Sequence, residues 1–209
     1  MSLARRSVPV AAAVLAPVLF PAVASAHHAM GGRLPATPFE GLFSGVAHPV
    51  IGLDHLLAVL ALGALCSRVP KGLFALGAFL LASLVGTGVH VAKVDLPAAE
   101  IVIAVSVVAF GALLVAGWRG AAGALIAAAA IAGLFHGYAY GESIVGAEPT
   151  PLVGYLLGFT AVQALIALGG HALARTLAAR PAPSLVWSRT WGAATALVGV
   201  FFLVKAMGI

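Results

Sequence analysis

Residues 39–66 read FEGLFSGVAHPVIGLDHLLAVLALGALC. The run is long and apolar enough to cross a bilayer, for which about 20 residues suffice. Between residues 48 and 55, however, it carries His48, Asp54 and His55 together with Pro49 and Gly52. An ionised carboxylate at the centre of a span costs about 2.5 to 3.5 kcal/mol on insertion scales, so Asp54 must face protein, water or an ion. Imidazole nitrogen and carboxylate oxygen are also the ligand types that borderline divalent metals such as nickel, cobalt and zinc accept. Pro49 removes a backbone donor and Gly52 tolerates unwinding, which predicts a broken helix lining a cavity. On an unbroken helix His48 and His55 would stand about 10.5 Å apart along the axis, too far for one ion with bonds of about 2 Å. They then mark successive stations, unless the break bends them together.

The rest of the chain fits a membrane. Of its 209 residues 62% are hydrophobic and 8% charged, and the mean hydropathy is +1.12; soluble domains carry roughly 25% charged residues. The net charge of +5, from 11 Lys+Arg against 6 Asp+Glu, fits basic cytoplasmic loops better than nucleic-acid binding. A single cysteine, Cys66, excludes an intramolecular disulfide and a cysteine metal cage. Arg5 and Arg6, an apolar run over 8–23 and the small residues Ala24, Ser25 and Ala26 match a cleaved secretory signal peptide, residues 1–26. The remaining 27–209 holds six apolar segments, at about 39–66, 72–91, 97–117, 121–142, 151–176 and 189–208, joined by short connections rich in Pro, Gly and charge. With the new N-terminus outside, alternation puts Arg68, Lys71, Arg119, Arg175, Arg180 and Arg189 inside and leaves Arg33, Lys93 and Lys205 outside, as the positive-inside rule requires. The expectation is an all-α, multi-pass protein of the bacterial inner membrane: six transmembrane helices, with both mature termini periplasmic.

A second polar constellation, FHGYAYGE at 135–142, lies near the outer end of the fourth segment. As at His48 and Asp54, a histidine, His136, is followed six residues later by a carboxylate, Glu142. The first and fourth segments run in opposite directions and each opens a three-helix half, the arrangement of a three-plus-three inverted repeat with broken helices around a central site. Counting depth along the helices puts Glu142 and Glu100 outermost, His48 and His136 below them, and Asp54 and His55 deepest. Tyr138 and Tyr140 read as interface aromatics or as second-shell donors that orient the ligands. His27 and His28 with the freed amine could capture a metal outside the membrane. His90 and His171 read as interfacial, and Gln163 as an interhelical hydrogen bond.

HPVIGLDH at 48–55, FHGYAYGE at 135–142, the carboxylate of LPAAEIVIAVS at 96–106 and a signal peptide followed by histidine together resemble the HupE/UreJ family of nickel and cobalt permeases. The resemblance covers nearly all of the mature chain. It implies a secondary transporter importing Ni2+, or Co2+, for hydrogenase or urease metallocentre assembly. The implicated residues fall on His48, Asp54, His55, His136 and Glu142, with Glu100, His27 and His28 as outer or accessory positions. No prosthetic group is expected, because the metal is cargo. The partners implied are that cation, membrane lipid, and a second copy or a cytoplasmic metallochaperone, with no nucleic acid. No P-loop is present, so energy must come from an ion gradient, the membrane potential or a partner. The donor set does not choose nickel over cobalt, since affinity follows the Irving–Williams order. Binding needs neutral imidazole, so uptake should fall as external pH drops through about 6.5. The rival readings are an intramembrane metal-dependent enzyme and a metal-binding scaffold. The first lacks a His-Glu-x-x-His motif and a general base separate from the ligands.

Overall fold

A computed structural model describes residues 33–179 and 184–209, all in helices and their connections. The predicted signal peptide, His27, His28 and Arg180 lie outside the described residues. The helices are α1 (Pro38–Ile51), α2 (Leu53–Cys66), α3 (Leu73–Val91), α4 (Ala99–Val115), α5 (Ala122–Glu142), α6 (Pro149–Ala178) and α7 (Ser184–Ala206).

The predicted break is present. The axes of α1 and α2 differ by 79°, and Gly52 alone separates them. Gly52 leaves the helical region at φ −72° and ψ 103°, while its N–H still bonds the His48 carbonyl at 3.1 Å and its carbonyl accepts from Leu56 N–H at 2.8 Å. One residue therefore turns the chain while its own backbone groups stay bonded, which is what a buried kink requires. Entry into α1 is fixed by Thr37, whose hydroxyl accepts from Glu40 N–H at 3.1 Å; the Glu40 carboxylate in turn takes Ala36 N–H at 2.7 Å and Arg33 at 2.9 Å. Thr37→Ala should lower stability by about 1 kcal/mol, readable as a lower unfolding temperature in detergent.

Each of the six predicted segments is helical, but fewer qualify as full spans. α3, α5, α6 and residues Val186–Ala206 of α7 are each long and apolar enough to cross a membrane, and the bent α1–α2 pair makes a fifth if counted as one span. α4 has 17 residues. It begins only after Pro97 and a left-handed Ala98 (φ 57°), and the chain turns away again at Gly117 (φ 66°). The outer surface is what lipid requires: Phe39, Phe74, Leu81, Leu165 and Leu197 are all exposed.

Packing rests on backbone proximity. α1 lies along α6, α3 along α5, and α4 along α7, with α2 crossing α6 and α4. The first two pairs share a sequence device. Gly-Leu-Phe-x-Gly-x-Ala occurs at 41–47 in α1 and again at 133–139 in α5. Gly41 and Gly45 abut the carbonyls of Pro151 and Tyr155 on α6, and Gly133 and Gly137 abut those of Phe79 and Ser83 on α3. The partner returns the contact: Gly158 of α6 abuts the Leu42 carbonyl, and Gly86 of α3 abuts the Leu134 carbonyl, the same motif position. A Cβ at any of these glycines would collide with backbone, so small residues set the interhelical distance, as in lipid they must. Both pairs run parallel, and α4 meets α7 antiparallel through Gly111 and Gly192.

Candidate functional site

The kink at Gly52 brings the two ends of the opening motif together. His48 and His55 have ring centroids 5.8 Å apart, and both are buried. Gly52 permits this because a Cβ there would stand 2.6 Å from His55 Cδ2. Asp54, also buried, sits in the first turn of α2 and accepts the His55 backbone N–H at 2.9 Å. The helix N-terminus favours its negative charge.

α5 supplies the opposite wall. His136 is fully buried, and its Nδ1 lies 2.7 Å from His55 Nδ1. Its Nε2 lies 2.9 Å from Ser106 Oγ of α4, and Phe79 of α3 packs on its ring at 5.7 Å. One proton arrangement satisfies all of these contacts together. Ser106 donates its single proton to the Ile103 carbonyl at 2.7 Å, so His136 Nε2–H donates to Ser106 and His136 Nδ1 accepts from His55 Nδ1–H. We assign His55 as the Nδ1-protonated tautomer, with its lone pair on Nε2.

Tyr140, one helical turn from His136, fills the space between the imidazoles: its ring is 5.0 Å from that of His48 and 4.6 Å from that of His55. The Tyr140 hydroxyl is buried and has no hydrogen-bond partner among the described residues. His48 Nδ1 is held by Ser143 Oγ at 2.8 Å and Tyr155 OH at 3.1 Å, and Tyr155 donates to the Tyr140 carbonyl at 2.7 Å. These partners fix the ring orientations, the task of outer-shell groups around a metal.

The structure thus gathers His48, Asp54, His55, His136 and Tyr140 at the break, and leaves other candidates elsewhere. Glu142 is exposed at the end of α5, and Glu100 is exposed in the first turn of α4. Tyr138 stacks on His90 at 4.4 Å, away from the imidazole cluster. Gln163 is buried, with its carbonyl oxygen 3.5 Å from Ser83 Oγ, so it bridges helices. Among the described residues no three His, Cys, Asp or Glu side chains are disposed to hold one metal ion. In this conformation the direct His55–His136 hydrogen bond occupies the position a shared cation would take. Ser106, Ser143 and Tyr155 were not singled out from sequence. A lone hydroxyl inside an apolar run, as in IVIAVSVVAF, was the available signal for the first.

Two apolar clusters contain residues that contact the imidazoles. Val59, Leu62, Phe79, Val107 and Phe110 belong to one apolar cluster, and Tyr140, Ile144, Tyr155 and Phe159 to another.

Residues 14–202 match the family described as HupE / UreJ protein. Protein HupE of Rhizobium leguminosarum bv. viciae is 30% identical over 194 residues, covering 91% of this chain and 95% of that protein. No solved structure matches.

Proposed function

Because the chain belongs to the HupE/UreJ family, whose members are permeases and not enzymes, we propose that the imidazole cluster at the Gly52 break is the central station of a Ni2+ permease. Co2+ is the alternative cargo, moving inward across the bacterial inner membrane for hydrogenase or urease assembly. One observation carries this reading: a 79° break in an apolar helix pair brings two buried histidines together and sets one of them against a third on another helix.

The geometry suggests how a cation enters. Two imidazole nitrogens 2.7 Å apart share a proton, whereas two nitrogens bound to one tetrahedral ion through bonds of about 2.0 to 2.1 Å stand about 3.3 Å apart. For a cation to sit on both Nδ1 atoms, the rings would spread and the His55 proton would pass to its Nε2, because imidazole ligates as the neutral form and no net proton is lost. Asp54, one residue from His55, balances the charge. The Tyr140 hydroxyl gains a polar neighbour in the loaded state.

The burial of His48, His55 and His136 favours an occluded conformation that opens to one side at a time. The recurring Gly-Leu-Phe-x-Gly-x-Ala interlock supports a three-plus-three inverted repeat, α1 to α4 against α5 to α7. Its register differs from the His-x5-acid spacing: Ser44 matches His136, and His48 matches Tyr140. Those last two rings touch edge-on, as equivalent positions do at a pseudo-axis.

The deciding experiment is accumulation of radioactive nickel in proteoliposomes. The His48→Ala and Asp54→Ala variants should lose it, and wild-type rates in both would refute the central station. Glu142, exposed at the outer mouth, acts as an attractor. Glu142→Gln should raise the half-saturating cation concentration by about two- to fivefold at low salt, with the maximal rate kept and the difference fading as salt rises.

A further inference from the structure

Every carboxylate in this chain except Asp54 belongs to one end of the bundle: Glu40 begins α1, Asp95 and Glu100 lie between α3 and the first turn of α4, Glu142 ends α5, and Glu148 caps α6. The opposite end, where α2, α4 and α6 finish and α7 starts, has none. At that end a cavity of about 370 Å3 opens between these four helices, and Arg68, Arg119 and Arg175 line it from three separate segments. Trp187, Ser188 and Trp191 of α7 form its remaining polar and aromatic wall. Arg68 is partly buried and donates one N–H to the Leu114 carbonyl at 3.4 Å. Burial, and then the proximity of Arg119, depress its pKa below the ordinary guanidinium value.

Three guanidinium groups around one cavity with no carboxylate within that end of the fold call for an anion from outside the chain. Guanidinium forks match phosphate oxygens in paired hydrogen bonds. Tryptophan rings prefer the headgroup level of a bilayer, which sets the depth of the cavity. We propose that this cavity is a phosphate-binding site, and that its occupant is the phosphodiester headgroup of an anionic phospholipid wedged between α2, α4, α6 and α7. Basic pockets between transmembrane helices take such headgroups. The lipid would hold together the ends of helices from both halves of the proposed repeat.

The test uses the purified full-length protein and counts retained lipid by native mass spectrometry after exchange with phosphatidylglycerol, with phosphatidylcholine, or with phosphatidylglycerol plus inorganic phosphate. Wild type should retain phosphatidylglycerol over phosphatidylcholine, and higher salt should erode the preference. Arg119→Gln with Arg175→Gln, both at exposed positions, should weaken retention about thirtyfold, from roughly one surface-charge contribution per arginine. Displacement of the lipid by inorganic phosphate would keep the site and reassign its occupant to free phosphate. Equal retention of both lipids by wild type with no phosphate binding overturns the proposal, as does an unchanged preference in the double variant. If that variant fails to fold, the salt dependence of wild type decides alone: a preference indifferent to salt refutes the site. No metal enters the readout, so its failure leaves the transport reading untouched.

Discussion

His136→Ala is expected to abolish cation accumulation, lowering the initial rate about a hundredfold or more. Both nitrogens of His136 are placed by the fold, Nδ1 against His55 and Nε2 against Ser106. Removing it deletes a proposed ligand and frees the His55 ring to turn. Loss of an outer-shell partner alone typically costs about 10- to 100-fold in metal affinity or activity, so Ser106→Ala should fall in that range and His136→Ala beyond it. Alanine also leaves a cavity beside Phe79, and the resulting destabilisation could imitate a lost ligand. His136→Phe supplies the control, because it refills the space with an aromatic ring and no nitrogen. Both variants should be inactive in radioactive nickel uptake, with the phenylalanine variant folded by circular dichroism. Wild-type uptake in folded His136→Phe would remove His136 from the pathway.

The second large effect is on assembly. Gly86 of α3 faces the Leu134 carbonyl and the Tyr138 backbone nitrogen of α5, so a side chain there meets backbone that is already hydrogen-bonded within a helix. Gly86→Leu should separate α3 from α5, remove Phe79 from His136, and prevent recovery of folded protein; overpacking at tight sites costs typically 1 to 3 kcal/mol or more. Gly77, on the same helix, has nothing within 4 Å of an added Cβ. Gly77→Ala should therefore stabilise the protein by up to about 1 kcal/mol through helix propensity. Thermal unfolding in one detergent separates the two substitutions. Equal behaviour would show that the α3–α5 interlock does not set stability.

Much of this arrangement is legible in sequence because lipid leaves few alternatives. Apolar length and breaker residues place all the helices to within a few residues, and Pro49 with Gly52 foretells the break. The bend angle is not in the sequence. It arises where Gly52 allows α2 to swing against α6 and α4, and it turns an expected axial separation of about 10.5 Å into ring contact. Side-chain direction is equally hidden. Tyr138 and Tyr140 differ by two residues, which on a helix sends them to nearly opposite faces, one to His90 and the other to the imidazoles. Depth counting places Glu142 outermost, above the two histidines, and the helix ends at that residue with its side chain exposed. The recurrence of Gly-Leu-Phe-x-Gly-x-Ala at 41–47 and 133–139 is itself in the sequence and supports the proposed repeat. Histidine spacing points to a different register, because polar residues mark where chemistry happens and glycines mark how the backbone is built.

The unequal lengths of α4 and α6 bear on the surrounding bilayer. At 1.5 Å per residue, the 17 residues of α4 reach about 25 Å and the 30 residues of α6 about 45 Å, against a hydrocarbon thickness near 30 Å. α6 must tilt or protrude, while lipid beside α4 must be drawn thin, since Ile101, Val105 and Val115 on that helix face outward. α4 is also the helix that places Ser106 against His136. A bilayer thinned beside α4 would be thinned beside a helix that contacts the imidazoles. Longer acyl chains would increase the mismatch at this collar, whereas shorter chains would relieve it.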